Sequence, residues 1–282
     1  MNPIWEIIRG LGFHPLKQLH ALIYGKFTPR YLWAKDKLSA HLPQKAKDYL
    51  ADTYHGKVMK LEDAIEFVSS HHDMKAHDLE KVIPYKYARD LILKNPDHIV
   101  AYRCACRSLK KDHCEPSDVC LIIGEPFAGL AVLMQPAKSR KISSDEAISI
   151  LKAEDERGHV HTAYFKDIML DRFYAICNCC KCCCLQMKAY KEHGVPMLAS
   201  SGHVSQVSED CDGCGICAES CPFDAIVVEE KARVVYEKCM GCGICEPKCP
   251  IGAISLMRDA GKGEPLDIKV LRQVSGNQLF VG

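Results

Sequence analysis

The run Cys211-Asp212-Gly213-Cys214-Gly215-Ile216-Cys217-Ala218-Glu219-Ser220-Cys221-Pro222 returns 28 residues later as Cys239-Met240-Gly241-Cys242-Gly243-Ile244-Cys245-Glu246-Pro247-Lys248-Cys249-Pro250. An internal repeat of this kind predicts a small unit with approximate twofold symmetry. Three thiolates separated by two residues each can wrap one corner of a cubane iron–sulfur cluster, whereas the fourth is carried away by the turn that follows. The fourth cysteine of each run therefore serves the cluster of the other. This assigns Cys211, Cys214, Cys217 and Cys249 to cluster 1, and Cys239, Cys242, Cys245 and Cys221 to cluster 2. Gly213, Gly215, Gly241 and Gly243 permit tight loops and let backbone N–H groups approach the sulfurs. Ala225-Ile226-Val227-Val228 and Ala253-Ile254-Ser255-Leu256 supply short strands and apolar cover. Zinc knuckles and disulfides are the competing readings.

These two runs resemble the bacterial two-cluster ferredoxins, and no ligand position departs from that family's pattern. The resemblance implies a ferredoxin-type domain over residues 207–258, two 4Fe-4S clusters, and a one-electron relay between protein partners at low potential.

The rest of the chain is consistent with a folded α+β protein. Its 282 residues allow two modest domains. Apolar and charged contents are those of a globular chain. Eighteen cysteines would mean a disulfide scaffold in a short secreted protein, but this chain opens with no signal sequence and holds no apolar run long enough to cross a bilayer. Metal ligation, a cytoplasmic location and an anaerobic host are the expectations, since so many thiols invite oxidation.

The formal net charge of +1 hides an asymmetry. Residues 1–60 carry ten Lys/Arg against Glu6, Asp36, Asp48 and Asp52. Between Val207 and Met257 the ferredoxin segment sets Glu209, Asp210, Asp212, Glu219, Asp224, Glu229, Glu230, Glu237 and Glu246 against Lys231, Arg233, Lys238 and Lys248. Two clusters, each adding about −2 with its four thiolates, take the assembled protein to about −3. An acidic module of this kind expects a partner with a basic docking face and opposes nucleic acid.

Five segments are expected: a helical region at 1–95, a cysteine-rich domain at 96–193, a linker at 194–206, the ferredoxin domain at 207–258 and a tail at 259–282. In the first, Ile4, Ile7, Ile8 and Leu11, then Leu16, Leu19, Leu22 and Ile23 after Pro15, predict two short amphipathic helices. Trp5, Phe13, Tyr24, Phe27, Tyr31 and Trp33 lie among the basic residues there, a composition suited to packing on the domain itself, to a partner groove or to peripheral contact with a membrane. Helices are also expected at Leu61 to Ser69 and Pro84 to Lys94, and a strand at His98 to Arg103. Ser143 with Glu146 forms a capping-box pattern. Val160 to Phe165 and Arg172 to Asn178 are read as a hairpin, giving a helix-then-hairpin order like a winged helix.

Ten further thiols precede the linker: Cys104, Cys106, Cys114 and Cys120, then Cys177, Cys179, Cys180, Cys182, Cys183 and Cys184. Ten in two groups exceed what a core uses. In an extended segment Cys104 and Cys106 share a face; on a helical turn Cys179, Cys182 and Cys183, or Cys180, Cys183 and Cys184, do so. One or more further iron–sulfur clusters is the expectation, with structural zinc and free or substrate-reactive thiols as alternatives; the spacing matches no standard zinc signature. His159 and His161, two apart on an expected strand, are a ligand or proton-donor pair or simply polar hairpin residues. His113 stands beside Cys114, and Arg107 is either a neutralising cation for a thiolate-rich centre or a surface residue. The Cys104-Ala105-Cys106-Arg107 run, the segment Gly158-His159-Val160-His161 and the cysteine-dense run from Cys177 resemble a group of 4Fe-4S binding proteins of anaerobes, a resemblance that implies no particular activity.

Neither a GxGxxG nor a GxxxxGK[ST] motif occurs, so electrons are expected to arrive from and leave to other proteins. Three functions follow in order: an electron-transfer protein, an iron–sulfur reductase acting at the Cys104/Cys177 site, and a redox-responsive regulator.

Overall fold

A proline and a capping side chain start the first helix: Asn2 accepts from the Ile4 N–H at 3.0 Å, and Pro3 fills a position whose N–H needs no partner. The computed structural model describes residues 2–77, 79–269 and 271. Along the chain run α1 (Pro3–Gly10), α2 (Pro15–Ser39), α3 (Gln44–Thr53), β1 (Tyr54–Val58), α4 (Leu61–Val68), β2 (Met74–Ala76), β3 (Leu91–Leu93), β4 (Ile99–Tyr102) and β5 (Cys120–Ile123). Then come α5 (Phe127–Met134), β6 (Ser139–Ile142), α6 (Ser144–Glu156), β7 (Val160–Lys166), β8 (Arg172–Cys179) and α7 (Leu185–Lys191). The remainder comprises β9 (Leu198–Ala199), β10 (His203–Val207), α8 (Ile216–Ser220), β11 (Ile226–Val228), β12 (Ala232–Val234) and β13 (Ile254–Arg258).

The centre is a seven-stranded sheet of order β6-β4-β5-β8-β7-β1-β9, antiparallel except for the β1–β9 pair. The expected hairpin forms as β7 and β8, but as the middle of this sheet rather than as a wing. Both strands are buried almost throughout because both faces are covered. On one face Phe67 of α4 packs on Phe173, and Phe165 on Phe173, beneath α4 and α6. On the other, Tyr164 and Tyr174 meet Tyr24 and Tyr54 beneath α2. The sheet takes β1 from upstream of residue 95 and β9 from within 194–206.

Segment 84–94, expected as a helix, holds β3 in a two-stranded pair with β2 and no helix. Pro84 follows the buried Val82 and Ile83, and the chain then turns to lay Leu91 and Leu93 into the core. Helix α2 bends at Phe27, two residues ahead of Pro29. Proline lacks the N–H that would bond the Gly25 carbonyl, and the Gln135 amide donates to that carbonyl instead at 2.6 Å. The helix at Ser143 begins as expected, with its hydroxyl accepting from the Glu146 N–H at 3.2 Å. Glu146 turns to Arg140 rather than back to the cap.

The C-terminal unit has its own small sheets, β11 with β12 and β10 with β13. The expected tail lies outside the described residues from 272 onward. Among the described residues no helix is long and apolar enough to cross a membrane.

Candidate metal centres

The two cysteine runs fold as near copies. Gly213 and Gly241 both adopt positive φ, and a Cβ at Gly241 would collide with the His203 carbonyl and the Ser201 hydroxyl. The Ala225 N–H donates to Cys221 Sγ at 3.3 Å, and 28 residues on the Ala253 N–H donates to Cys249 Sγ at 3.2 Å. The Ala232 N–H adds a bond to Cys211 Sγ at 3.4 Å. Such donors favour thiolate over thiol, as cluster ligands require. A small cavity is lined by Cys221, Cys239, Cys242 and Cys245, with Phe223 and Met240 as apolar cover. Burial pushes the Cys245 thiol up to about 11 and Cys242 higher still, so a bound cation would have to displace their protons. Around the first run Cys214 is exposed and Cys211 and Cys249 are half-buried, whereas Cys217 is buried.

The other ten cysteines separate into two sets. Cys114, Cys180, Cys182 and Cys183 bring their Sγ atoms within 4.8 Å of one another, with Cys182 facing solvent. Burial and then Cys182 push the Cys114 thiol up to about 11. Cys182 itself, although burial opposes it, is held below the ordinary thiol value by Cys114, Cys183 and Cys180.

The remaining six line one internal chamber, whose wall also includes Cys180 of the first set. Cys104 and Cys106 come from the turn after β4, Cys120 opens β5, Cys177 and Cys179 lie two apart on β8, and Cys184 caps α7. Neighbouring thiols interact in the order Cys177, Cys120, Cys104, Cys106, Cys184, Cys179, a ring that β8 closes. Cys104 is drawn well below the usual value by donation from Cys106 and Cys120, and Cys184 by donation from Cys106 and Cys179. Neither helical grouping expected from spacing forms as such: Cys179 and Cys184 join the ring, while Cys180 and Cys183 join Cys114 and Cys182. The chain leaves β8 at Cys179 and turns, instead of entering a helix, before Leu185.

The chamber measures about 110 Å³, and its far wall is aromatic. Tyr24, Tyr174 and Tyr54 are linked through their hydroxyls at 2.8 and 3.2 Å. Behind them the Lys166 ammonium sits 4.7 Å from the Tyr54 ring centre, and burial brings it down to about 8. Lys35 stands 4.3 Å from the same ring, lowered further by burial and by Lys166. No spacing in the sequence marks these tyrosines and lysines, which come from four separate elements.

Arg107 is fully buried rather than on the surface, and it faces Glu154 at 2.5 Å. His159 reaches the same carboxylate at 2.7 Å. Although burial works against its charge, Glu154 is held below the usual carboxylate value by His159 and Arg107. Arg107 also donates to the Asn178 carbonyl, and the Asn178 side chain bonds His161 at 2.7 Å. The histidine pair therefore braces the turn that carries Cys104 and Cys106. His113 interacts with the Cys114 carbonyl and Glu115.

Residues 210–253 match the family described as a 4Fe-4S dicluster domain. No curated protein matches the chain. With that domain and a separate cysteine cluster, the protein is a metal-binding iron–sulfur protein with the capability for electron transfer.

The dicluster domain docks on the cysteine-dense turn. Lys181, between Cys180 and Cys182, donates to the Cys221 carbonyl at 3.4 Å and to Asp224 at 2.6 Å. Lys191 of α7 holds the Pro222 carbonyl at 3.1 Å and the other Asp224 oxygen at 2.5 Å. Tyr190 completes the contact, edge-on to Phe223 and 3.5 Å from Met240 Sδ.

Proposed function

We propose that the protein is a ferredoxin-type electron-transfer protein, relaying single electrons between a protein partner and a further iron–sulfur centre held by its own six-thiol chamber. Cys211, Cys214, Cys217 and Cys249 hold one cluster of the dicluster domain; Cys239, Cys242, Cys245 and Cys221 hold the other. Supporting the second set, all four of its members line one cavity. Each cluster, when bound, supplies reversible one-electron storage at low potential.

The observation that carries the reading is the Lys181 contact. It ties the backbone of Cys221 to the turn whose two ends, Cys179 and Cys184, belong to the chamber ring. The first run is exposed at Cys214 among Asp210, Asp212 and Glu219, whereas its far end, Cys221 to Asp224, meets the cysteine-dense turn and α7 together with Met240 of the second run. On this reading electrons enter at the acidic surface of the first run and pass inward by way of Cys221.

Iron and acid-labile sulfide counted on anaerobically purified full-length protein test this. The expected iron exceeds the roughly eight that two cubanes require. A count that stops there, with zinc filling the chamber, removes the inner centre.

A second reading, reduction of a small substrate in the chamber, is favoured by the aromatic wall. Tyr24 and Tyr174 with Lys166 place proton donors across the cavity from the thiols. Turnover would then require the inner centre to keep an open ligand position, read as spectral change on adding a small ligand to reduced protein. In either reading dithionite should bleach the cluster absorbance while NADH alone leaves it unchanged; bleaching by NADH without added protein would reveal a nicotinamide site in the chain.

A further inference from the structure

The tight four-thiol group differs in scale from every other cysteine set in the molecule. Cys182 Sγ lies 2.7 Å from that of Cys114 and 3.5 Å from that of Cys183, and Cys183 lies 4.0 Å from Cys114. Cys180 completes a group whose sulfurs all fall within 4.8 Å of one another. Four thiolates on one ion, each bonded at about 2.3 Å, occupy the corners of a tetrahedron with edges of about 3.8 Å. On a cubane each thiolate binds a different iron and points outward from its corner, so the sulfurs stand about 6 Å apart. The Cys182–Cys183 and Cys183–Cys114 separations match that edge, the 2.7 Å between Cys114 and Cys182 would open by about 1 Å on binding an ion, and all are too small for a cluster. The dicluster domain provides the internal comparison, because among the described residues its eight cysteines form no group this close.

Chain geometry supports the same division. Cys180, Cys182 and Cys183 lie in the turn between β8 and α7, and Cys114 arrives on the loop between β4 and β5. The Lys110 ammonium, from that same loop, donates to the Cys182 carbonyl. A divalent ion with four thiolates carries about −2, and Lys110 supplies a cation at its edge. With all four positions filled by protein and none left for substrate, the site is of the closed, structural kind.

We propose that Cys114, Cys180, Cys182 and Cys183 bind a single thiophilic divalent ion, zinc or iron, in a tetrathiolate site distinct from the six other thiols of the chamber, which it adjoins through Cys180. The ion clips the Cys114 loop onto the turn that carries Lys181, and so fixes the turn against the dicluster domain. This assignment does not depend on the relay reading: metal analysis reads the ion, whereas reduction of the chamber centre reads the relay.

The test uses anaerobically purified full-length protein and its Cys182→Ser variant, chosen because Cys182 is solvent-exposed. X-ray absorption at the zinc edge should show four sulfur neighbours at about 2.3 Å and no metal neighbour beyond them. For protein produced without zinc, a mononuclear high-spin ferric signal should take its place on oxidation. Either signature should be lost in Cys182→Ser, with one metal ion fewer per chain and an unchanged sulfide content. The wild-type absorption spectrum needs no variant, and Cys114→Ser repeats the test from the other loop. Loss of about four irons together with their sulfide in either variant would show a cluster and overturn the assignment. So would a Cys114–Cys182 disulfide found by mass spectrometry of anaerobically alkylated protein, or metal content indifferent to both substitutions.

Discussion

The dicluster domain and the region ahead of it use cysteine in opposite ways. In the domain, eight thiols are placed by local chain geometry: glycines at positive φ set the loops, and the N–H groups of Ala225 and Ala253 meet equivalent sulfurs in the two repeats. Ahead of it, ten thiols are placed by tertiary structure. Cys104, Cys120, Cys177 and Cys184 reach one chamber only because β4, β5 and β8 are neighbours in the sheet and α7 follows β8 directly. A site of the first kind survives as long as its loops do. A site of the second kind depends on the sheet and on whatever braces its turns.

The sharpest way to break the comparison is Cys221→Ala. If the fourth thiol of the first run serves the second cluster, this change should remove about half of the domain's iron, leaving the cluster of Cys211, Cys214 and Cys217 in place. Paramagnetic resonance of the dithionite-reduced protein should pass from two interacting centres to one. Loss confined to the first-run cluster would reverse the ligand sets.

Next in size is the brace behind the chamber. Glu154 is fully buried between Arg107 and His159, and Glu154→Gln leaves the Arg107 charge without its counter-ion. Breaking one side of such a pair costs about 3–5 kcal/mol. The expected result is a lower denaturant midpoint, with metal lost from the chamber before the dicluster iron. Equal loss from both regions would show that they do not differ in what holds them.

That difference also explains what could be read from the sequence. The C-terminal unit was legible because its determinants sit within each twelve-residue run, and its family match falls where the repeat does. The hairpin of β7 and β8, the strand at β4 and the cap at Ser143 were legible from local pattern. The seven-stranded sheet was not. Strand β1, Tyr-His-Gly-Lys-Val, is short, has a glycine at its centre and buries His55 and Lys57, residues that sequence alone places in solvent. Segment 84–94 has helix-compatible residues but gives a strand because tertiary packing of Leu91 and Leu93 overrides local preference. The ten cysteines stood out in the sequence as candidate ligands, but the gathering of Cys114, Cys180, Cys182 and Cys183 into one group depends on loop contacts between residues about 70 positions apart, as with Cys114 and Cys182.

Lys181→Ala sharpens the comparison where the two regions meet. The Lys181–Asp224 pair is about half exposed on both sides, so its loss should change stability by no more than about 1 kcal/mol. Asp224 keeps Lys191 as a partner. The bond to the Cys221 carbonyl, however, has no substitute among the described residues' hydrogen bonds to that atom other than the Asp224 backbone N–H at 3.4 Å. Electron exchange between the dicluster domain and the proposed inner centre should slow several-fold at unchanged metal content, measured by freeze-quench after mixing with dithionite. An unchanged rate would mean that this contact is only structural.

The smallest effect concerns the outer end of the domain, where the comparison turns on charge rather than ligation. Glu209, Asp210, Asp212, Glu219, Glu229 and Glu230 are exposed around the first run, and of these Glu209 is paired with Lys231. If the redox partner proposed for this protein carries a basic face, such a surface would steer it toward the exposed Cys214 side. Steering between exposed charges fades as added salt shortens the screening length to about 8 Å at physiological ionic strength. Exchange with a basic redox protein should therefore slow a few-fold between low and physiological salt, whereas transfer onward to the buried chamber, shielded from solvent ions, should keep its rate. Stopped-flow reduction by a basic redox protein across a salt series separates the two phases. A fast phase that ignores salt would place the entry point away from the acidic run, and a slow phase that follows salt would mean that the inner thiols also exchange electrons through solvent-exposed charge.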